Sequence, residues 1–402
     1  MSVERPMSME RPMSVAPAIR PSSYPPAVLF AVWPLLVALV ACGCADDATK
    51  PVNHLPPECG AVIVVTTDFA SGGLSAVSAD STGSVTEDLA SIHADAVART
   101  HDGLIYVVNR FGADNVQVVD PARGYVTVRQ IPVGAGSNPH DIAIIAPDRA
   151  FVSRNGSDGL LEIDPGTGAA RDTISLRRFA DGDSVPDMDR LFYREPYLYI
   201  AIARIDFGGG TYRPVVPSYL AILDTRTNTL VDTEEMVPGI QAIRLQGLNP
   251  SAPMVWDAAS SVLLVPEAGA YGTLDAGVEK IDLTTMRSIG WLTREEDLGG
   301  DLIDFTLGPG GRGYATIADL GAITSLVAFD LETGEKIGAL HTSNGYDLAD
   351  LAVTSCGILL VCDRAYTAPG LRIYDAMTGR AISSVEQPVP TGLPPFELVP
   401  LD

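Results

Sequence analysis

Six acidic residues recur at one position of a repeated pattern, at or just before the start of a short segment in which apolar and polar residues alternate. If these segments surround a common axis, the six carboxylates lie near one another. Carboxylate oxygens are the ligands that Ca²⁺ takes in groups of roughly six to eight, and they also attract cationic organic groups. The six are Asp95, Asp141, Asp189, Asp304, Asp350 and Glu397.

The same acids have a structural interpretation. Each could cap the backbone N–H groups of a turn, or pair with an arginine of a neighbouring loop. Suitable arginines follow apolar segments at Arg110, Arg154, Arg204 and Arg364. Repeat position alone favours this structural role. The alternative that stays open is a site for Ca²⁺ or another cation, formed by the aspartates of the set: Asp95, Asp141, Asp189, Asp304 and Asp350.

Two insertions provide a second group of candidates. Residues 206–213 and 269–272 follow apolar segments in adjacent repeats and combine aromatic side chains with glycine. Because functional residues are often found on loops carried by a rigid scaffold, we predict a ligand-binding surface there, with Trp256 beneath it. The alternative is loop length without a function. The candidate ligand-binding residues are Asp206, Phe207, Tyr212, Arg213, Trp256, Glu267 and Tyr271.

The elements that position these residues form a repeat. An apolar-alternating strand that ends in Asp or a small polar residue, followed by a turn with Gly or Asn, occurs seven times at intervals of 41 to 60 residues. Residues 116–120 and 371–375 are two instances, and a more apolar strand precedes each one. Near-continuous apolar strands indicate burial on both faces. The sequence therefore predicts an all-β fold, a seven-bladed β-propeller with four-stranded antiparallel blades.

One repeat resembles a known family. Residues 105–109 (IYVVN), 115–120 (NVQVVD), 131–134 (IPVG) and 139–144 (PHDIAI) resemble a full repeat of the YVTN family of β-propellers. The resemblance is close over residues 93–170 and degenerate elsewhere, and it implies the same propeller architecture. Repeats four and five are longer than the family pattern, so the family's loops do not carry over there.

The ends of the repeat region predict how the ring closes. The first repeat starts at Gly60 without an innermost strand, whereas residues 396–399 form a strand without a blade. We therefore expect the C-terminal strand to complete blade one of a propeller that spans residues 58–402, with an open solenoid as the structural alternative. Cys59 and Cys356 stand before the second strands of blades one and seven, which predicts a disulfide across the seam. Buried free thiols are the alternative.

The N-terminus predicts export. Residues 27–41 form an uncharged apolar run after three arginines, as in the h-region of a signal peptide. The following residues 39–42 (LVAC) resemble the lipobox of bacterial lipoproteins, which implies cleavage before Cys42 and lipidation of its thiol. We predict a signal peptide at residues 1–41, with an over-extended gene start, and a spacer at 42–57. An ordinary secreted chain or a signal anchor is the alternative.

Composition excludes several classes of protein. The 402 residues carry a net charge of −23, 46% are hydrophobic, and they include 38 Gly and 30 Pro. The chain is too apolar to be disordered, and without a basic patch it has no means of binding nucleic acid. No motif of a zinc peptidase, an α/β-hydrolase or a P-loop NTPase occurs in the sequence.

These observations predict a lipid-anchored propeller of the cell envelope that binds through an acidic top face and is not an enzyme. The expected partners are the membrane, through the N-terminal lipid, and another envelope protein or a cationic ligand. Gly43 after the lipidated cysteine implies the outer membrane in a Gram-negative cell. We expect no cofactor except, as a candidate, Ca²⁺. The alternative function is a divalent-cation-dependent hydrolase, lactonase or lyase with its metal at the channel mouth.

Overall fold

Short strands whose side chains are buried on both faces build the fold. In residues 104–109 and 115–120, β-branched residues fill both sides of the strand, and all but the terminal residues are buried. Such strands need a cover on each face, which neighbouring sheets provide. The computed structural model describes residues 59–80, 82–206, 212–382 and 387–401. These residues form seven antiparallel blades in a ring, which confirms the predicted seven-bladed propeller.

Each blade is numbered by its place in the ring, and strands are numbered along the chain. The strands of the first three blades are β1 (Ala61–Thr67), β2 (Gly72–Ser78) and β3 (Val85–Ile92); β4 (Ala96–His101), β5 (Leu104–Asn109), β6 (Asn115–Asp120) and β7 (Val126–Pro132); and β8 (Pro139–Ala146), β9 (Arg149–Arg154), β10 (Gly159–Ile163) and β11 (Ala170–Ser175). Short 3₁₀ turns lie at Pro121–Arg123 and Arg177–Phe179.

Blades four and five contain the insertions. A two-stranded ribbon extends from blade four, and a further short strand pairs with the blade's third strand. The elements are β12 (Met188–Arg194), β13 (Tyr197–Ile202), the ribbon strands β14 (Ile205–Asp206) and β15 (Arg213–Pro214), β16 (Tyr219–Asp224), β17 (Thr229–Leu230) and β18 (Ile243–Arg244); then β19 (Val255–Asp257), β20 (Val262–Glu267), β21 (Gly277–Asp282) and β22 (Arg287–Arg294).

The last two blades and the closing strand follow one helical turn, α1 (Glu295–Leu298). Blade seven has three full strands, and isolated bridges at Leu371–Val389 and Tyr374–Ala381 occupy its outer edge. The strands are β23 (Asp301–Leu307), β24 (Arg312–Ala318), β25 (Thr324–Asp330) and β26 (Lys336–Thr342); β27 (Leu348–Val353), β28 (Ile358–Asp363) and β29 (Gly370–Asp375); and β30 (Pro395–Pro400).

The C-terminal strand closes the ring, as the sequence predicts. β30 pairs antiparallel with β1, with Leu398 opposite Val64, and it becomes the inner strand of blade one. Leu398 and Val64 also pack with Leu360 and Ile373 of blade seven. The last strand therefore contributes both backbone hydrogen bonds and apolar contacts to the seam.

The seam between blades one and seven also has covalent and polar contacts. Cys59 and Cys356 form a disulfide with a Cα–Cα distance of 5.5 Å. The Thr354 hydroxyl donates a hydrogen bond of 3.1 Å to the Ala79 carbonyl across the same boundary. In the part of the chain that the structure describes, no helix is long and apolar enough to cross a membrane. Cys42 lies outside the described residues.

Removal of residues 395–402 should abolish cooperative unfolding of the domain, because β1 then loses its inner neighbour and the seam loses Leu398. Urea unfolding followed by far-UV circular dichroism measures this. The control variant carries both Cys59→Ser and Cys356→Ser, which removes the covalent link but leaves β30 in place; we expect it to lose about 2–4 kcal/mol and to stay cooperative. An unchanged transition in the truncated protein would contradict strand closure.

Candidate functional site

The inner strands leave a cavity at one end of the central channel. This end, where inner strands begin and the loops between second and third strands emerge, is called the top face here. The cavity has a volume of about 350 Å³. Residues from six blades line it: Phe69, Val97, Arg190, Ser251, Ala252, Pro253, Ile303, Asp304, Tyr346, Leu348, Ala349, Asp350, Arg364, Phe396 and Glu397.

Three of the predicted ring acids hold adjacent inner strands together. In each case a carboxylate oxygen on one inner strand accepts a hydrogen bond from a backbone N–H on the inner strand of the next blade. These N–H groups lie on the edge of the blade that faces the channel, where no neighbouring strand of the same sheet can accept their hydrogen bonds. The carboxylates act as the acceptors instead. The pairs are Glu397 with Ala98 (2.7 Å), Asp141 with Leu191 (2.9 Å) and Asp350 with Leu398.

Arg99 connects two of these acids across blade two. Its Nη1 lies 2.8 Å from Glu397 Oε1, and its Nε lies 2.8 Å from Asp141 Oδ1. Burial opposes the charge of this guanidinium, but the two carboxylates raise the pKa of Arg99 above its usual value. The arginine therefore neutralises part of the acidic wall, and blades one, two and three are linked by charge.

The remaining acids differ in position from the predicted ring. Val97 of blade two and Arg190 of blade four line the cavity, whereas Asp95 and Asp189 of the same blades do not. Asp95 accepts a hydrogen bond of 2.7 Å from Arg110, as the structural interpretation expected. The prediction of one acid per wall position is therefore wrong in these two blades. Asp95 precedes β4, and Asp189 lies within β12 but contacts His140 of blade three instead of the cavity.

Asp189 is held by basic neighbours. Its Oδ2 lies 3.1 Å from His140 Nδ1, and its Oδ1 lies 3.4 Å from Arg190 Nε. Although burial opposes ionisation, His140 and then Arg190 keep the pKa of Asp189 below its usual value. Among the residues that the structure describes, no group of three or more His, Cys, Asp or Glu side chains is arranged to hold a metal ion.

Asp304 and Asp350 form a carboxyl pair in the cavity wall. Burial raises the pKa of both groups, and the Asp304 charge raises that of Asp350 further, well above its usual value. A side-chain hydrogen bond links the two carboxyl groups, so their protonation is coupled and they titrate as a pair. Burial and the repulsion between the two charges make full ionisation of the pair less favourable than for two separate carboxyl groups.

Arg190 stands at the same cavity wall. Its Nε donates a hydrogen bond of 2.8 Å to the Ser251 carbonyl, and its Nη1 has no hydrogen-bond partner among the described residues. Its positive charge lowers the pKa of Asp304 in opposition to burial, the larger effect. The cavity thus combines apolar walls with a small number of convergent polar groups, which is typical of a small-molecule site.

Two phenylalanines and an arginine form the rim of the cavity. The Arg364 guanidinium lies 4.6 Å from the centre of the Phe69 ring and 5.3 Å from that of Phe396. The rings themselves meet edge to face at 6.2 Å. Arg364 also donates to the Thr67 carbonyl at 3.1 Å. This rim therefore shows that the aromatic surface accommodates a planar cation.

The insertion residues only partly form the predicted surface. Asp206 and Arg213 form an exposed ion pair at 3.0 Å, and the Tyr212 hydroxyl donates to Asn249 at 3.1 Å. More than half of Tyr212 is exposed, but desolvation of its hydroxyl group raises the pKa of Tyr212 to about 12. Tyr271 is exposed on the top face. Phe207 lies outside the described residues.

Two predicted binding residues are located elsewhere. Trp256 lies near the opposite end of blade five, where the Arg194 guanidinium stacks 3.9 Å from its ring centre. Its strand is only three residues long, so the side chain does not reach the top loops. The prediction that Trp256 lies beneath the insertions is wrong.

Glu267 is buried within blade five and cannot contact a ligand at the surface. It is 0% exposed, and burial and the Glu279 carboxylate raise its pKa well above the usual value. A Cβ on Gly247 would lie 1.8 Å from Glu267 Oε2 and 2.9 Å from the Trp291 ring, so a larger residue there would displace the Glu267 carboxyl group. This carboxyl group is therefore part of the packing of the blade, and the structure does not place it at the predicted binding surface.

Sequence reasoning missed the cavity residues Phe69, Arg190, Tyr346 and Phe396. These residues come from blades one, four and seven and share no local pattern. The one available signal was that Phe69 and Tyr346 are large aromatic residues in turn segments rich in Asp, Ser and Gly, where burial within a strand cannot explain them.

Comparisons with known proteins agree on the fold. No protein-family model matches the sequence, and the curated proteins include no match. Many solved structures are similar in fold. A provisionally assigned 6-phosphogluconolactonase of Bacteroides fragilis has a TM-score of 0.60 at 14% identity over 86% of this chain and 99% of that protein.

Two other structures give the same result. A provisionally assigned 6-phosphogluconolactonase of Bacteroides uniformis has a TM-score of 0.59 at 12% identity, over 85% of this chain and 98% of that protein. A protein from Lactobacillus plantarum has a TM-score of 0.57 at 12% identity, with the same coverage. The chain is a seven-bladed β-propeller whose structural neighbours include propellers of the 6-phosphogluconolactonase type, and at this identity the likeness concerns the fold alone.

Asp304→Asn should stabilise the protein relative to wild type by an amount that grows as the pH rises above the ordinary pKa of an aspartate, about 4. A carboxyl group with a raised pKa keeps its proton in the folded state where the unfolded chain has lost it, so the pair makes the wild type less stable as pH increases. The amide donates to Asp350 without titrating. Urea unfolding at several pH values measures the difference.

Asp319→Asn is the matched control for this experiment, because Asp319 is an exposed acid on the same face and outside the cavity. A difference between Asp304→Asn and wild type that does not change with pH would contradict the raised pKa of the pair.

Proposed function

We propose that this protein is a non-catalytic binding propeller that takes a cationic ligand in the cavity at its channel mouth. The observation that carries the proposal is the Asp304–Asp350 pair in an otherwise mostly apolar cavity of about 350 Å³. Burial and the repulsion between the two carboxylates raise their pKa values in spite of the nearby charge of Arg190. A ligand that supplies a cation there would offset this repulsion.

The local charges support a cation rather than an anion. Glu397 and Asp141 share the single charge of Arg99, which leaves a net negative wall in blades one to three. The charge of Arg364 is directed to backbone carbonyls and aromatic rings at the rim. A cationic group in the cavity would therefore interact with the carboxyl pair at a low effective dielectric, where charge pairs are strongest.

The apolar lining indicates what the rest of the ligand is like. Val97, Ile303 and Leu348 contribute side chains to the wall, and Phe69 and Phe396 stand at the rim. An aliphatic or aromatic body with one ammonium or guanidinium group satisfies both parts of the cavity.

Benzylamine should raise the thermal unfolding midpoint of the mature protein at pH 7.5, whereas benzoate and benzyl alcohol should have little effect. A ligand at ten times its Kd contributes about 1.4 kcal/mol to the folded state, which corresponds to a rise of about 2 °C for a domain of this size. Asp304→Asn should weaken the apparent affinity for benzylamine, calculated from the shift in the unfolding midpoint, at least tenfold. Asp319→Asn removes one charge from the same face and should leave the shift intact.

Equal shifts with all three benzyl compounds, or a shift that survives Asp304→Asn, would contradict a cation site at the carboxyl pair. Ca²⁺ and EDTA form a separate arm of the experiment. Stabilisation by Ca²⁺ that EDTA reverses would support the alternative, a divalent-cation-dependent hydrolase, lactonase or lyase.

We further propose that the propeller is carried on a lipid-anchored N-terminus in the cell envelope. The basis is the lipobox-like run 39–42 after the apolar segment 27–41. Expression in a Gram-negative host with labelled palmitate should label the wild type in the membrane fraction, and Cys42→Ser should eliminate the label. Cys44→Ser is the matched control and should be labelled normally. Label retained in Cys42→Ser would contradict the assignment.

A further inference from the structure

The most exposed aromatic side chains are concentrated on one face of the propeller. Across the described ranges, six aromatic residues are more than half exposed, and every one lies in a top-face loop or linker. Leu320 occupies the corresponding loop of blade six and is similarly exposed. We call this set the aromatic crown: Phe69, Phe111, Tyr212, Tyr271, Leu320, Tyr346 and Tyr366.

This concentration is not expected from surface composition alone. Scattered apolar residues are normal on a protein surface, whereas a one-sided group of large aromatic side chains marks an interaction site. The other strongly exposed apolar residues of the described chain are aliphatic. Val216 is also in a top-face loop, whereas Ile289, Ile337 and Met377 belong to outer strands or to the opposite turns.

The crown is continuous with the cavity. Phe69 and Tyr346 line the cavity and are also among the exposed aromatics. Tyr346 lies close enough to Tyr271 to interact electrostatically with it, and Leu320 lies against the loop of Gly272. An apolar surface therefore runs from the cavity rim over blades five, six and seven.

Exposed acids lie between the crown residues. Asp68 precedes Phe69, Asp319 precedes Leu320, and Asp275 stands in the same loop as Tyr271. The combination of an aromatic ring with an adjacent carboxylate suits arginine, whose planar guanidinium stacks on the ring while its N–H groups bind the carboxylate. Arg364 between Phe69 and Phe396 is an example of this stacking within the molecule itself.

We propose that the aromatic crown docks an arginine-bearing segment of another protein, and that one basic side chain of that segment enters the cavity. The second part of this proposal rests on the proposed cation site. The crown supplies the rigid aromatic anchors that dominate protein interfaces, and the acids between them supply charge complementarity. The same acids would repel an anionic lipid surface.

The test uses three synthetic peptides with the mature protein at 150 mM salt: acetyl-(Gly-Arg)₄-amide, its lysine analogue and its glutamate analogue. Isothermal titration calorimetry should detect binding of the arginine peptide, binding of the lysine peptide that is several-fold weaker, and no binding of the glutamate peptide. Equal affinity for the arginine and lysine peptides would overturn the role of guanidinium stacking.

A crown variant separates this proposal from the cavity proposal. Tyr271→Ala, Leu320→Ala and Tyr366→Ala together should weaken the arginine peptide at least tenfold and leave the benzylamine shift unchanged, because none of the three lines the cavity. The matched control, Ile289→Ala with Ile337→Ala and Met377→Ala, removes exposed apolar residues elsewhere and should bind the peptide like wild type.

Wild-type peptide affinity in the crown variant would overturn the docking proposal even if benzylamine still binds. If the wild-type protein binds the peptide but shows no benzylamine shift, the cation site in the cavity is wrong, and so is the entry of a basic side chain of the partner into it. Docking on the aromatic crown would still be supported. Thermal unfolding of both triple variants verifies that they are folded. We expect both to fold, because the substituted side chains are exposed.

Discussion

The pairing of β30 with β1 is the contact on which the rest of this structure depends. Each blade buries its apolar faces against its two neighbours, so the ring is stable only if the first and last blades meet. The chain achieves this by taking the inner strand of blade one from its C-terminus. The disulfide between Cys59 and Cys356 and the packing of Leu398 reinforce the same boundary.

A propeller ring also creates the problem that its inner-strand acids solve. At the channel wall the inner strands splay, and some backbone N–H groups have no partner within their own blade. Glu397, Asp141 and Asp350 accept hydrogen bonds from these groups across blade boundaries. The structural interpretation of the acids is thus observed directly, and the carboxylates that join the blades also make the cavity negative.

This double role explains the character of the candidate site. An acid that accepts backbone hydrogen bonds is fixed in orientation and cannot turn its side chain to solvent. Burial therefore raises the pKa of both Asp304 and Asp350. The site is preorganised by the same contacts that hold the ring. The aromatic residues around it are more than half exposed, so burial in the core does not explain them, and they are the strongest indication of a binding function.

The sequence by itself determined the number of blades, their strand pattern, the closing strand and the pairing partners at the seam. These depend on local alternation, on repeat spacing and on which segments lack a neighbour, all of which are written along the chain. It could not determine the register of the inner strands, and the ring positions of Asp95 and Asp189 were therefore wrong. It also could not locate Trp256 or Glu267 relative to the surface.

Only the tertiary structure decided the cavity and the aromatic crown. The cavity brings Phe69 beside Phe396, which stand near opposite ends of the described chain, and it brings Arg190 of blade four near Asp304 of blade six. Which side chains meet at the channel mouth depends on the tilt and register of seven sheets, and no local pattern encodes these. The physical reason is that repeat periodicity specifies each blade, whereas the site exists only between blades.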